Sequence, residues 1–247
     1  MAAKRVFLAG ASGAIGASLV PQLVQAGYMV FGITRRKHKA SWLRAWGAQP
    51  LVLDVFDRDA VVRAMAETRP EVVINQLTDL PKQLAGTLST RDLEANAHLR
   101  EQGSRNLIEA ARTAGARRVI AQSLAWLYAP GQPPYAEDHP LDLEIEKADA
   151  MTVHGVVALE TMTLKSPPLE GIVLRYGQLY GPGTWNTAQK GPVPIHVDAA
   201  AFAALLAVDT PHLGVYNVAE EKGLILAEKA RRELGWNAAF RLQRRAA

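Results

Sequence analysis

The short apolar run Val6-Phe7-Leu8-Ala9 empties directly into Gly10-Ala11-Ser12-Gly13-Ala14-Ile15-Gly16, and a stretch with Ile15, Leu19 and Leu23 on one helical face follows at once. Strand, glycine turn and helix in this order open a βαβ unit. Three glycines at three-residue intervals have three separate uses there. Gly10 permits the tight turn, Gly13 lets backbone approach a pyrophosphate, and Gly16 lets the helix pack closely on the strand. The helix N-terminus then offers unpaired amides to phosphate oxygens. A dinucleotide is therefore expected along Gly10, Ser12, Gly13, Ala14, Ile15 and Gly16. Lys4-Arg5 followed by residues 6–20 could also be read as a secretory leader, but a leader has no need of the glycines.

The alternation continues beyond this unit. Apolar runs at 5–9, 29–33, 50–53, 71–75, 118–122 and 171–175 read as strands, with amphipathic stretches between them, which predicts an α/β fold with a doubly wound parallel sheet. Helices are expected at 14–26, interrupted by Pro21; after the Asp57/Asp59 capping region; from about Thr90, with Leu93, Ala97, Ser104, Leu107 and Ala111 in a stripe that Gly115 ends; and at 148–165. Two turn-rich segments, Pro130 to Pro140 and Gly177 to Pro194, read as substrate-facing loops. The expected organisation is a dinucleotide-binding Rossmann domain over 1–175 and a reduced C-terminal lobe over 176–247, partly interleaved with it. With 49% apolar residues among 247, the chain can fill such a core.

The second strand decides which dinucleotide fits. An acidic residue about twenty positions after the glycines would hold the ribose hydroxyls of NAD. Here the strand ends in Thr34-Arg35-Arg36, whose guanidinium groups suit a 2′-phosphate, so NADP is expected over NAD. Asp54 and Val55 are expected beside the adenine, and Asn75, Gln76, Leu77 and Thr78 beneath the ribose and phosphates. Arg35, Arg36, Lys37, His38, Lys39 and Arg44 are basic in a short span, yet lack the interleaved aromatics of a nucleic-acid surface, and the net charge is only +4. No nucleic-acid partner is expected. The absence of cysteine excludes a disulfide framework and thiolate metal sites, and fits a cytoplasmic setting. No metal and no membrane partner are expected, since the longest apolar stretch, at 199–208, is well short of a span.

The chain resembles the extended and atypical short-chain dehydrogenase/reductase superfamily, in its NAD-dependent epimerase/dehydratase branch. The resemblance rests on the glycine loop, Asp54, Asn96, Gly103 to Ala111, Leu174 to Gly183, His196-Val197-Asp198, Val215 to Val218 and Leu234-Gly235-Trp236. It implies that Asn96, Ser123, Tyr176 and Gly177 also line the cofactor. It implies a small-molecule substrate as well, such as a nucleotide-sugar or similar carbonyl or hydroxyl compound, and leaves a homodimer open. Relatives work with a Ser/Thr hydroxyl and a Tyr-x-x-x-Lys pair, whose lysine lowers the tyrosine pKa. Aligned on this chain, those positions hold Leu124, Thr152 and Val156, and no tyrosine has lysine four residues later. Candidates for the missing proton relay are Tyr180, then His154, with Ser123 one position short of the hydroxyl; Tyr128 reads as a packing residue and His196 as the start of a helix. The expected function is an atypical NADP-dependent oxidoreductase or epimerase. The alternative is an NADP-binding sensor or scaffold without redox turnover.

Overall fold

The computed structural model describes residues 3–81, 87–144 and 148–243. In chain order the elements are β1 (Arg5–Ala9), α1 (Ala14–Gln25), β2 (Met29–Thr34), α2 (Ala40–Ala45), β3 (Gln49–Val52), α3 (Arg58–Thr68), β4 (Val72–Asn75), α4 (Thr90–His98), α5 (Ser104–Thr113) and β5 (Arg118–Leu124). There follow α6 (Ala148–Leu164), β6 (Glu170–Tyr176), β7 (Gln178–Tyr180), β8 (Pro194–His196), α7 (Val197–Leu206), β9 (Gly214–Val218) and α8 (Glu228–Leu234). Seven of the strands form one sheet in the order β3-β2-β1-β4-β5-β6-β9, and β7 pairs with β8 apart from it. All of these pairings are parallel.

The alternation along β1 builds a core on each face. Val6 and Leu8 join Leu19, Leu23 and the alanines of α7 on one side, while Phe7 and Ala9 join Val61, Met65 and Leu107 on the other. A parallel strand buried on both faces reads as an unbroken apolar run, which is why these strands are visible in the sequence. The helix starts are equally local. Asp57 Oδ1 accepts from Ala60 N at 2.9 Å, and Ser89 with Asp92 closes a capping box at the start of α4. α1 runs unbroken through Pro21.

One helix differs from the expectation, and one strand goes beyond those named above. The helix expected from Thr90 is divided by a wide π turn at Leu99–Gly103, where the backbone bonds skip a residue. The sheet also continues past β6, because β9 from the C-terminal region adds to its edge, with Ile172 opposite Gly214 and Tyr176 opposite Val218. Asn217 in the middle of β9 is wholly buried, so this strand lacks the plain apolar signature of the others. Apart from Asp198, α7 is apolar on every side, and it lies against α1, where Ser18 Oγ donates to Asp198 Oδ1 at 2.7 Å. Since β1 leads to β2 on one side and β4 on the other, the sheet changes direction between β1 and β4. A crevice opens at their carboxyl ends, the usual ligand position in such sheets.

Candidate functional site

Gly10 leaves β1 with φ +83°, and a Cβ there would lie 2.5 Å from the carbonyl oxygen of Gln76. A Cβ at Gly16 would lie 2.4 Å from the carbonyl oxygens of Gly10 and Ala11. Both positions therefore admit only glycine without movement of backbone. Gly13 is different: it is exposed, and the only nearby atom a Cβ would meet is Gly10 O at 3.3 Å. It leaves open the ground in front of α1. That helix carries no side-chain cap at Gly13 and no acidic residue in its first turn. The loop is thus a cradle whose outer side is bare backbone ahead of a helix N-terminus, which fits a pyrophosphate.

The neighbouring strand ends complete the rim. Ser12 Oγ donates to Thr34 Oγ1 at 3.2 Å, and the backbone N–H of Arg36 donates to the same hydroxyl at 3.2 Å. Arg35 Nη2 lies 2.9 Å from Asp79 Oδ1, and Asp79 N donates to Asn96 Oδ1 at 2.9 Å. Leu77 N donates to Asn75 Oδ1, Asn75 Nδ2 donates to Ser104 Oγ, and Gln122 Nε2 donates to Leu77 O. Gln76 Nε2 reaches Tyr176 Oη at 3.2 Å, while Gln76 Oε1 is buried without a partner. Asp54 is exposed, its carboxylate turned back onto Phe56 N at 3.0 Å, beside buried Val55; Thr78 is exposed. Gly177 sits where a Cβ would meet Val193 O at 2.4 Å. The glycine loop, the end of β2 and the end of β4 are thereby tied into one continuous margin.

Three named candidates lie off this margin. Ser123 is buried and donates to Glu160 Oε1 at 2.6 Å, within a network where Arg175 grips both oxygens of Glu160 at 2.9 and 2.7 Å. Arg175 also donates to Tyr128 Oη, and Tyr128 in turn donates to Asn217 Oδ1 at 2.6 Å. Tyr180 donates to Glu220 Oε1 at 2.7 Å and accepts from Arg241 at 3.0 Å; burial and then the Glu220 bond push its pKa upward. His154 is on the exposed side of α6. His196 caps α7, its Nδ1 accepting from Asp198 N at 3.1 Å. Of the three positions aligned above with the family's hydroxyl, tyrosine and lysine, Leu124 and Val156 pack into one apolar cluster with Leu127 and Val153.

Sequence reasoning overlooked one contributor and named the region of another. Lys39 Nζ donates to Ser12 O at 2.8 Å, because the short helical turn at Lys37–Lys39 folds the basic run back onto the glycine loop. The segment after β7 also crosses the crevice. A Cβ at Gly183 would come within 3.8 Å of Ala14 Cβ, and Trp185 Nε1 donates to Pro81 O at 2.9 Å. This strap is part of the Gly177 to Pro194 loop read above as substrate-facing, and its signal was the Gly/Pro-rich stretch with its aromatic residues.

Comparison with known proteins agrees with this geometry. The model of the NAD dependent epimerase/dehydratase family matches residues 6–207. A 3-diazoavenalumate denitrifying reductase from a Streptomyces species is 38% identical over 239 residues, covering 88% of this chain and 76% of that protein. A dTDP-4-dehydrorhamnose reductase of Streptomyces griseus is 31% identical over 190 residues, covering 75% of this chain and about half, 53%, of its own. Among solved structures, the UDP-glucose 4-epimerase of Thermus thermophilus in complex with NAD superimposes with a TM-score of 0.73 at 21% identity, over 94% of this chain and 84% of that one. No helix among the described residues is long and apolar enough to cross a membrane. With its glycine cradle, its sheet order and a family match over most of its length, the chain belongs to the NAD dependent epimerase/dehydratase family.

Proposed function

We propose that the protein is a nicotinamide-dependent reductase that takes NADPH and delivers hydride to a small electrophilic substrate. The observation that carries this reading is the basic margin around the glycine cradle. Arg35 and Arg36 follow β2 where an acid would select NAD, and Lys39 is drawn against Ser12 from the same side. When bound, the cofactor supplies the hydride. The chain would position it: backbone around Gly13 would receive the pyrophosphate, Arg35 and Arg36 the 2′-phosphate, and the Gly183–Trp185 strap would lie over it.

Reduction is favoured over oxidation or epimerisation by the tyrosines. Oxidising an alcohol requires a base for the hydroxyl proton. Tyr128, Tyr176 and Tyr180 are all pushed upward in pKa by burial, and Val156 brings no ammonium to offset it. A hydride acceptor that is already electrophilic needs no such base, and its proton can come from water. A nucleotide-sugar is one such substrate class when it carries a keto group; a smaller carbonyl compound is another.

The test is calorimetric titration with NADPH and NADH. Wild type should prefer NADPH, and Arg35→Ala with Arg36→Ala should weaken NADPH by about 10- to 100-fold, the equivalent of one charge-assisted contact of roughly 1.5–3 kcal/mol, while leaving NADH nearly unchanged. Equal losses for both cofactors would overturn the assignment.

A further inference from the structure

Arg100 stands in the π turn between α4 and α5 with only 5% of its surface exposed. Its Nη1 has no hydrogen-bond partner, and no carboxylate among the described residues forms an ion pair with it. Burial lowers its pKa to about 10, still far above neutrality, so it carries its charge. The other deeply buried arginines are handled differently. Arg118 bonds Glu170 and the carbonyls of Ala207 and Val208, and Arg175 grips Glu160. A buried guanidinium that no described carboxylate pairs costs several kcal/mol, and an anionic ligand at the unpartnered Nη1 would offset it.

The position says which ligand. Asn96, one turn before Arg100, accepts from Asp79 just beyond β4, and Ser104, four residues after it, accepts from Asn75 at the end of β4. Arg100 therefore lies on a helical face fastened at both ends to the carboxyl edge of β4, where the crevice opens. α6 closes against the same helix, with a Cβ on Gly155 falling 3.0 Å from Ala97 Cα, and the next residue on α6 is the fully buried Val156. The π turn inserts its extra residue at this spot, as such turns often do at functional sites.

We propose that Arg100 is the anion-binding residue of the substrate side of the crevice, its planar guanidinium taking a substrate carboxylate in bidentate fashion. The inference rests on the reading of this crevice as a reductase site and adds a substrate class to it: small acids. A carboxylate matches the fork geometry of a guanidinium and supplies the missing counter-charge. A cofactor phosphate shares the oxyanion chemistry, but the glycine cradle and the arginines after β2 already provide for phosphates.

The experiment uses sodium benzoate as probe and benzamide as its neutral isostere, in chloride-free buffer, with calorimetry and thermal unfolding of the whole chain, with and without NADPH. Wild type should bind benzoate and gain melting temperature from it, as any native-state ligand confers, and should not respond to benzamide. Arg100→Met should weaken benzoate at least 10-fold while its melting temperature without anion is no lower than wild type. Arg100→Lys should retain part of the affinity, and Arg100→Gln serves in place of the methionine variant if that one does not fold. Failure of wild type to respond to benzoate, or an undiminished response in both neutral variants, overturns the proposal. So does a 10-fold loss of NADPH or inorganic phosphate binding in Arg100→Met, which would give the charge to the cofactor. A wild-type protein that binds benzoate through Arg100 but neither nicotinamide nucleotide would sink the reductase reading alone.

Discussion

Removing the charge of Glu160 on α6 while keeping its shape should be among the most damaging single changes where this helix meets the sheet. Glu160 and Arg175 are 8% and 7% exposed at the side chain, and two hydrogen bonds of 2.9 and 2.7 Å join them. Burial alone would lower the arginine's pKa, but the bonds from Glu160 outweigh it and raise it. Glu160→Gln leaves that guanidinium buried without a counter-charge, a loss of about 3–5 kcal/mol. For a chain of this size each kcal/mol moves the melting temperature by about 2–4 °C, so a fall of roughly 6–20 °C is expected. The pairing is revealed by removing both charges. In Glu160→Leu with Arg175→Met the unpaired ion is gone, and the remaining penalties are the Ser123 hydroxyl, the Glu137 carbonyl and the Tyr128 hydroxyl, each of which loses one bond. At about 1 kcal/mol each, they should leave the double variant within about 3 kcal/mol of wild type. Urea unfolding of wild type, Glu160→Leu, Arg175→Met and the double variant measures the cycle, with Glu160→Gln beside it. A single variant within about 1 kcal/mol of wild type, or a double variant worse than the single, would refute the reasoning.

Two further outcomes follow from contacts elsewhere. Trp185→Phe keeps the ring but removes the donor to Pro81 O; losing one hydrogen bond of about 0.5–1.5 kcal/mol should speed NADPH release about 2- to 10-fold in stopped-flow fluorescence, and an unchanged rate would mean the strap does not hold the cofactor. At acid pH, Glu170 matters: burial pushes its pKa up, but the Arg118 bonds and the Arg117 charge outweigh this and leave it below the ordinary value. A depressed carboxylate contributes stability above its unfolded value of about 4.3 and loses it as pH falls through the lower folded value, so Glu170→Gln should flatten the acid limb of the stability profile, and an unaltered limb would contradict this.

The parts of this molecule that are legible in its sequence are those in which a local rule and the tertiary need coincide. β1, β2, β4 and β5 are buried on both faces and read as apolar runs, and Gly10 and Gly16 must be glycine because neighbouring backbone leaves no room for a Cβ. β9 escapes notice because its central Asn217 is polar and serves contacts distant in sequence, receiving Tyr128 and donating to the Tyr135 and Leu226 carbonyls. Lys39 looks like one charge in a basic run until a three-residue turn brings it onto Ser12. Ser123 adjoins the position of a family hydroxyl, yet β5 turns it toward Glu160, since neighbouring strand residues face opposite ways. Arg100 gives no local signal at all: in a helical stretch of mixed charge an arginine ordinarily faces water.

The apolar ground at Leu124 and Val156 and the buried charge at Arg100 belong together physically. In a site that works through a phenol, an ammonium on α6 lowers the phenol's pKa and supplies positive potential beside the reacting carbon. Here Val156 on α6 is wholly buried, and the buried charge near the crevice is that of Arg100 in the π turn after α4. Fixed on a guanidinium, that potential can orient an anion and favour hydride arriving at a carbon near it, but it cannot exchange a proton at neutral pH. On the proposed reading such a crevice binds and aims: its substrates are acceptors whose electrophilicity is their own, and specificity falls to the placement of the substrate's anionic group rather than to the strength of an acid or base.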